Sequence, residues 1–296
     1  MRVFRAVLLG VFAAWGLSAP ADQKADTSQA IVEIRAFMDK NDLDAAVARG
    51  EKAVAADPGN SEAWLWLGRA YGSKAQKASI FSQMGFAKKC KNAFEKSVAL
   101  DPKSLDARGD LISYYLQAPG IAGGSKEKAK EQAAEIAKLD AVRGHIATGS
   151  VLASDKDLAG AEAEYRKAIE TEPEGIRGVN ALGGFYISQK RWADARTLWQ
   201  KRLETGDRAD ALPHYQLARI ALFSETDLEK GVEHLKAYLA VPALPERPTW
   251  ADAHWRLGLL YEKLGRKDDA KAELREAVKL NTGHTQAQKD LKRIGG

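Results

Sequence analysis

The chain has 296 residues, of which 45 are lysine or arginine and 40 are aspartate or glutamate, giving a formal net charge of +5. Beyond the first 21 residues, which contain Arg2 and Arg5 but no acid, 43 basic side chains face 40 acidic ones. This balance argues against a nucleic acid or an anionic membrane as partner. The only cysteine, Cys90, cannot form an internal disulfide, so stability has to come from packing.

The first 21 residues have the pattern of a signal peptide. Arg2 and Arg5 precede an apolar run over residues 6–17, which is short for a membrane span, and small residues follow at 18–21. We therefore expect an exported protein, periplasmic or secreted, with no stable membrane insertion once the signal is removed. An uncleaved membrane anchor is the alternative interpretation.

The clearest structural unit covers residues 250–282, where two amphipathic helices are predicted on either side of a turn at Gly265. The residues predicted to share the packed faces are Leu257, Gly258, Tyr261, Ala270, Leu274 and Ala277. Two helices of this length cannot bury their apolar faces alone, so the unit predicts neighbouring copies of itself.

Further copies appear when the chain is aligned on the residue equivalent to Gly258. The seven units cover about 27–58, 64–102, 111–139, 145–173, 179–207, 215–238 and 250–282. Extra residues at 72–86 and 118–125 interrupt two of them, and Cys90 falls where the pattern favours a small buried residue. We expect a solenoid over 22–282 and a polar cap helix within 283–296, which covers the apolar end of the last unit.

The spacing Trp64-x-x-Leu67-Gly68-x-x-Tyr71, repeated as Leu257-Gly258-x-x-Tyr261, resembles the tetratricopeptide repeat family. The resemblance implies an all-α, right-handed superhelical solenoid of antiparallel helix pairs. It also implies that the first helix of each pair lines a concave groove that binds a protein or peptide. It does not indicate a particular partner.

The groove residues are expected three and two positions before the Gly258 equivalent and one position after it. The candidates are Leu65, Trp66, Arg69, Asn180, Ala181, Gly184, Tyr215, Gln216, Arg219, Trp255, Arg256 and Leu259. Aromatic and arginine side chains are enriched at interfaces, and the arginines can donate bidentate hydrogen bonds to carboxylates. The alternative is that the aromatic residues pack between helices and the arginines pair with nearby acids.

No pattern predicts a catalytic, cofactor or metal site, and we do not expect an enzyme. His145, His214 and His254 occupy one repeat position, four residues before the Gly258 equivalent, which indicates a shared packing role in three separate units. No H-E-x-x-H or C-x-x-C spacing occurs.

Two segments support other functions. The glycine-rich stretch Gly120–Lys126 would serve an enzyme subunit or a protein that binds a small anion, although its spacing departs from a phosphate-binding loop. The simpler interpretation is a long turn in which Ser125 caps the next helix. The apolar residues of 80–86 would suit self-association or a holdase role, in which the protein holds unfolded chains.

Overall fold

The computed structural model describes residues 20–206, 210–242 and 247–296. In these ranges the chain forms fifteen α-helices, a short 3-10 turn at Gly120–Ala122, and no strand. The helices are α1 Pro20–Asp39, α2 Leu43–Ala56, α3 Ser61–Lys77, α4 Ile80–Leu100, α5 Leu105–Gln117, α6 Lys126–Leu139, α7 Ala141–Ser154, α8 Leu158–Thr171, α9 Ile176–Ser188, α10 Trp192–Thr205, α11 Leu212–Ser224, α12 Leu228–Leu239, α13 Trp250–Lys263, α14 Lys267–Leu280 and α15 Thr285–Arg293. The all-α repeat solenoid predicted from the sequence is confirmed.

Short polar side chains begin many of these helices. The Asn60 side chain accepts a hydrogen bond from the amide of Ala63 at 2.9 Å, and the Asp140 side chain accepts one from Arg143 at 2.9 Å. Ser125 caps α6 in the same way, as predicted. These side chains satisfy amide groups that lack a partner within the helix, so each helix starts at a defined residue.

Small residues on the first helix of a pair let the second helix approach closely. A methyl group at Gly68 would lie 2.5 Å from the ring of Phe94, and one at Gly183 would lie 2.4 Å from Nε1 of Trp199. The Trp199 side chain is completely buried. The predicted division between small and bulky positions therefore describes the packing within each hairpin.

The inner surface of the array is formed by the odd-numbered helices up to α13. Successive odd helices pack directly on one another at α1–α3, α5–α7, α7–α9 and α11–α13. The even-numbered helices of neighbouring pairs do not pack to that extent in the described ranges. The odd helices are therefore closer together, which places them on the concave side.

The two ends of the array meet. A methyl group at Gly283, in the turn between α14 and α15, would lie 3.0 Å from the Cα atom of Lys40 and 3.1 Å from the carbonyl oxygen of Asp39. Lys40 belongs to the turn between α1 and α2. The first hairpin and the last turn are thus in van der Waals contact.

The extra residues at 72–86 are largely helical rather than a loop. They lengthen α3 to 17 residues and α4 to 21, whereas α2, α6, α7 and α8 each have 14.

The predicted cap helix is α15. The signal-peptide prediction falls mostly on residues 1–19, which lie outside the described ranges. Among the helices described, none combines the length and apolarity needed to cross a bilayer.

Candidate binding site on the concave face

Two arginines lie side by side on the inner surface of α11 and α13 without an acidic partner. Arg219 donates from Nη1 to the side-chain oxygen of Gln216 at 2.7 Å, and Arg256 donates from Nε to the hydroxyl of Tyr215 at 2.7 Å. Neither guanidinium forms an ion pair with a carboxylate of the described residues, whereas Arg266 on the same hairpin as Arg256 pairs with Asp269 at 2.8 Å. The site therefore carries positive charge that the described part of the chain does not neutralise.

Of the two arginines, Arg219 has the less favourable surroundings. Its Nε atom is buried and has no hydrogen-bond partner among the described residues. Burial, and after it the positive charge of Arg256, lowers the pKa of Arg219. An anion bound to the accessible part of the two guanidinium groups would offset the repulsion between them.

An aromatic surface surrounds the two arginines. The carbon of each guanidinium lies close to the ring of Phe223, at 5.7 Å for Arg219 and 5.8 Å for Arg256. Arg256 also lies over the ring of Trp255 at 4.8 Å. Phe223 is 44% exposed, so apolar area is available beside the charges.

A polar chain extends the site toward α9. The Gln216 amide donates to the side-chain oxygen of Asn180 at 3.3 Å. Asn180 is exposed, and Gly184, one turn further along α9, has no atom within 4 Å of the place a methyl group would take. The backbone of a bound segment could approach α9 closely at this point.

Three candidates that the repeat pattern placed on an exposed face are buried, and that expectation is corrected. Leu65, Tyr215 and Gln216 are 6%, 4% and 6% exposed. Neighbouring first helices pack together on this side, so a side chain between them is covered. The ring of Tyr215 packs against Tyr238 at 5.2 Å, and the guanidinium of Arg256 lies over its other side. Tyr215 therefore positions Arg256 and is not itself a contact surface for a partner.

In the second unit the predicted arginine pairs with an acid of the chain, as the alternative interpretation of the groove residues predicted. Arg69 donates from Nε to Asp110 at 2.6 Å and lies 4.6 Å from the ring of Trp66. Arg35 covers the same ring at 5.0 Å. Trp66 is therefore held between two guanidinium groups, and the charge of Arg69 is already neutralised.

Trp255 is anchored at the end of the array. Its indole nitrogen donates to Asp290 of α15 at 2.8 Å, and its ring packs on His284 at 5.3 Å. Ala181 and Leu259 are half-buried. The predicted residues thus separate into an open group around Arg219 and Arg256 and a group committed to internal contacts.

Phe223 was missed by the sequence analysis, although a signal for it exists. It lies four residues after Arg219, which is one helical turn and therefore the same face of α11. The groove positions were counted only to one residue beyond the Gly258 equivalent, and Phe223 lies five residues beyond it. A search for exposed aromatic residues one turn from each candidate arginine would have found it.

The glycine-rich segment Gly120–Lys126 is braced internally. The Lys126 ammonium pairs with Asp155 at 2.7 Å, and the hydroxyl of Tyr114 donates to the carbonyl oxygen of Ala122 at 2.7 Å. The Ser125 hydroxyl already accepts a hydrogen bond from the amide of Lys128 at the start of α6. These contacts favour the turn interpretation over an anion site at this segment.

The three histidines of equivalent position contact residues of the second helix in their own hairpin. His145 and His254 hydrogen-bond to Glu164 and Glu273 at 2.7 and 2.6 Å, and His214 bonds to His234 at 2.8 Å. Within the described ranges, no cluster of three or more His, Cys, Asp or Glu side chains could hold a metal ion. Cys90 is 3% exposed, and burial raises the pKa of its thiol to about 12.

Comparison with known proteins identifies the repeat. Sequence models of the tetratricopeptide repeat family match residues 31–74 and 251–284. The first match covers the second half of α1, all of α2 and most of α3, and the second covers α13 and α14. The chain belongs to the tetratricopeptide repeat family, in agreement with the resemblance in its sequence.

Two characterised relatives share part of this chain. It is 33% identical over 137 residues to the cellulose synthase operon protein C of Xanthomonas axonopodis pv. citri, covering 44% of this chain and 9% of that protein. It is 22% identical over 245 residues to the cytochrome c-type biogenesis protein CycH of Pseudomonas aeruginosa, covering 83% of this chain and 45% of that protein. The chain therefore spans less than half the length of both relatives.

Solved structures share the fold. A tetratricopeptide repeat protein of Parabacteroides merdae superposes with a TM-score of 0.51 at 13% identity, over 92% of this chain and all of that one. The human IFIT1 dimer with m7Gppp-AAAA superposes with a TM-score of 0.56 at 17% identity, over 92% of this chain and 63% of that one. At such low identity these similarities support the solenoid fold alone.

Proposed function

We propose that this protein is an exported, non-enzymatic scaffold that binds an acidic segment of a protein partner on its concave face. In this proposal, a carboxylate of the partner lies between Arg219 and Arg256. The observation that carries the proposal is the pair of guanidinium groups without an acidic partner in the described ranges.

The surroundings of the arginines favour a peptide over a free ion. The half-exposed ring of Phe223 provides apolar area beside the charges, and Asn180 provides an exposed amide that could bond to peptide backbone. Arginine is enriched at the few positions that dominate binding at protein interfaces. A small anion would use the charges and leave the aromatic surface uncovered.

The family and one relative add support at a coarser level. Tetratricopeptide repeats serve protein interaction, and the similarity to a cytochrome c-type biogenesis protein extends over 83% of this chain. This supports a role in holding another protein during its maturation. Export rests on the leader-like pattern of residues 1–21.

Selection from a displayed library of random peptides would test the proposal. We expect the wild-type chain to enrich peptides that combine acidic and apolar residues. A labelled peptide from this set should bind the R219Q/R256Q variant at least about tenfold more weakly, which corresponds to ~1.4 kcal/mol. Added salt should weaken binding to the wild type, because the proposed contact is partly exposed and electrostatic.

The R266Q variant is the matched control, since Arg266 already pairs with Asp269 and lies outside the site. It should bind the peptide like the wild type. Enrichment of neutral or basic peptides, or equal binding by R219Q/R256Q and the wild type, would refute an acidic ligand at this site.

A further inference from the structure

A cavity of about 570 Å³ lies between α3, α4 and α5, away from the two arginines. Much of its wall is apolar, with Met38, Met84, Phe94, Tyr114 and Ala122 among the lining residues. Its volume is within the range of about 300–1,000 Å³ that is usual for sites that receive a ligand or a side chain. The long α3–α4 hairpin, which no other pair in the described ranges matches in length, forms two of its walls.

Two exposed apolar side chains belong to segments that also contribute residues to the cavity wall. Phe81, in the first turn of α4, is 95% exposed, and Ile121, in the 3-10 turn, is 80% exposed. They are more exposed than any other large apolar side chain in the described ranges. Nearby residues in sequence, Met84 and Ala122, line the cavity, so the projecting side chains and the opening lie on one surface.

The charges around the opening are largely neutralised within the chain. Residues 63–94 contain six basic residues and no acid. Four of these six, however, form ion pairs with acids elsewhere. These pairs are Arg69–Asp110, Lys74–Asp44, Lys89–Glu51 and Lys91–Glu95. The surface therefore offers little attraction to an acidic partner or an anionic lipid, and little repulsion to a surface like itself.

We propose that two copies of this chain associate about a two-fold axis beside the cavity, so that Phe81 of each copy enters the cavity of the other. A two-fold interface needs a surface that is complementary to itself. A projecting aromatic ring next to an apolar hollow meets that need. Burial of a phenylalanine removes about 150–250 Å² from water, and the two-fold arrangement doubles this gain. Ile121 lies at the same rim and adds to the contact.

Sedimentation velocity over a wide range of protein concentration tests the proposal. The wild type should change from monomer to dimer as concentration rises. F81E should raise the dissociation constant at least about tenfold. The substitution is compatible with α4, because an acidic residue in the first turn of a helix interacts favourably with the helix dipole. V32E is the matched control, since Val32 is an apolar residue of α1 that is 58% exposed and is not among the residues that line the cavity. It should dimerise like the wild type.

A second variant fills the cavity from inside. Ala87 lines it and is half-buried, so A87F should place a ring where the incoming Phe81 would lie. A87F and F81E alone should each dimerise at least about tenfold more weakly than the wild type. Mixed together they should form a heterodimer, because Phe81 of the A87F copy can enter the open cavity of the F81E copy. Circular dichroism should show wild-type helix content in both.

Wild-type protein that stays monomeric at all concentrations would overturn the proposal, even if its cavity binds an apolar dye or its surface binds anionic vesicles. Dimers that persist in F81E, or an absence of heterodimer in the mixture, would also overturn it. None of these outcomes depends on binding of acidic peptides at Arg219 and Arg256.

Discussion

Adjacent glycines in α9 occupy opposite environments, and this contrast shows how tightly individual residues are constrained. A methyl group at Gly183 would meet the buried ring of Trp199, whereas one at Gly184 would meet nothing within 4 Å. The same substitution at neighbouring positions should therefore have opposite effects on stability.

We predict that G183A destabilises the protein by about 1–3 kcal/mol, because the fully buried Trp199 has no room to move away. G184A should stabilise it by about 0.4–1 kcal/mol, because alanine restricts the unfolded chain more than glycine does. Urea unfolding followed by circular dichroism measures both changes. Equal effects of the two substitutions would contradict the packing of α9 against α10.

The histidine pair of α11 and α12 should make stability depend on pH. Burial lowers the pKa of His214 and of His234, and the second is lowered further by the first. Below the unfolded value of about 6.5, the unfolded chain binds more protons than the folded one, so stability falls as the solution becomes more acidic.

We predict that the wild type loses stability between about pH 7 and 5 and that H214Q/H234Q loses less over the same interval. Glu233 and Lys230 also act on His234, in opposite directions, and remain in the variant. The midpoint of urea unfolding at several pH values measures the effect. An unchanged slope in the double variant would assign the pH dependence to other groups.

At the scale of the helix, caps distinguish α3 from α4 within one hairpin. The side chain of Asn60 accepts a hydrogen bond from the amide of Ala63, whereas Ser79, at the equivalent position before α4, makes no such bond. Substitutions at these two positions can therefore be compared to measure how much a side-chain cap contributes to the free energy of unfolding.

We predict that N60A lowers the free energy of unfolding by about 0.5–2 kcal/mol and that S79A has a much smaller effect. The reason is that N60A removes the partner of a helix-start amide, while S79A removes none. Hydrogen exchange at the amides near residues 61–63 should increase in N60A alone. A loss of stability in S79A as large as that in N60A would argue against the observed caps.

At the scale of the whole molecule, the contact between the first and last hairpins decides how far the array is closed. Gly283 permits this contact because the Cβ atom of any other residue here would lie 3.0 to 3.1 Å from backbone atoms of Lys40 and Asp39. Both neighbours are main-chain atoms that cannot rotate away as a flexible side chain can.

We predict that G283V separates the two ends and increases the radius of gyration measured by small-angle X-ray scattering. G120V is the control, because Gly120 also lies in a turn and has open space where the side chain would go. It should leave the radius of gyration unchanged. A G283V profile identical to that of the wild type would contradict closure.

The sequence by itself determined the hairpins and their register. The alternation of small and bulky residues, such as Gly183 with Trp199 or Gly258 with Leu274, acts between helices that are adjacent along the chain. Such local packing repeats with the period of the sequence, which is why seven units and a final helix could be predicted from spacing alone.

Only the tertiary structure decided which candidate residues are free to bind. Arg69 and Arg219 occupy the same repeat position, yet Arg69 meets Asp110 from the next unit and Arg219 meets no carboxylate of the described residues. The burial of Tyr215 and the meeting of Lys40 with Gly283 are likewise contacts between residues distant in the chain. The repeat period specifies where a side chain starts on its helix. The charge and separation of neighbouring helices determine which groups that side chain contacts.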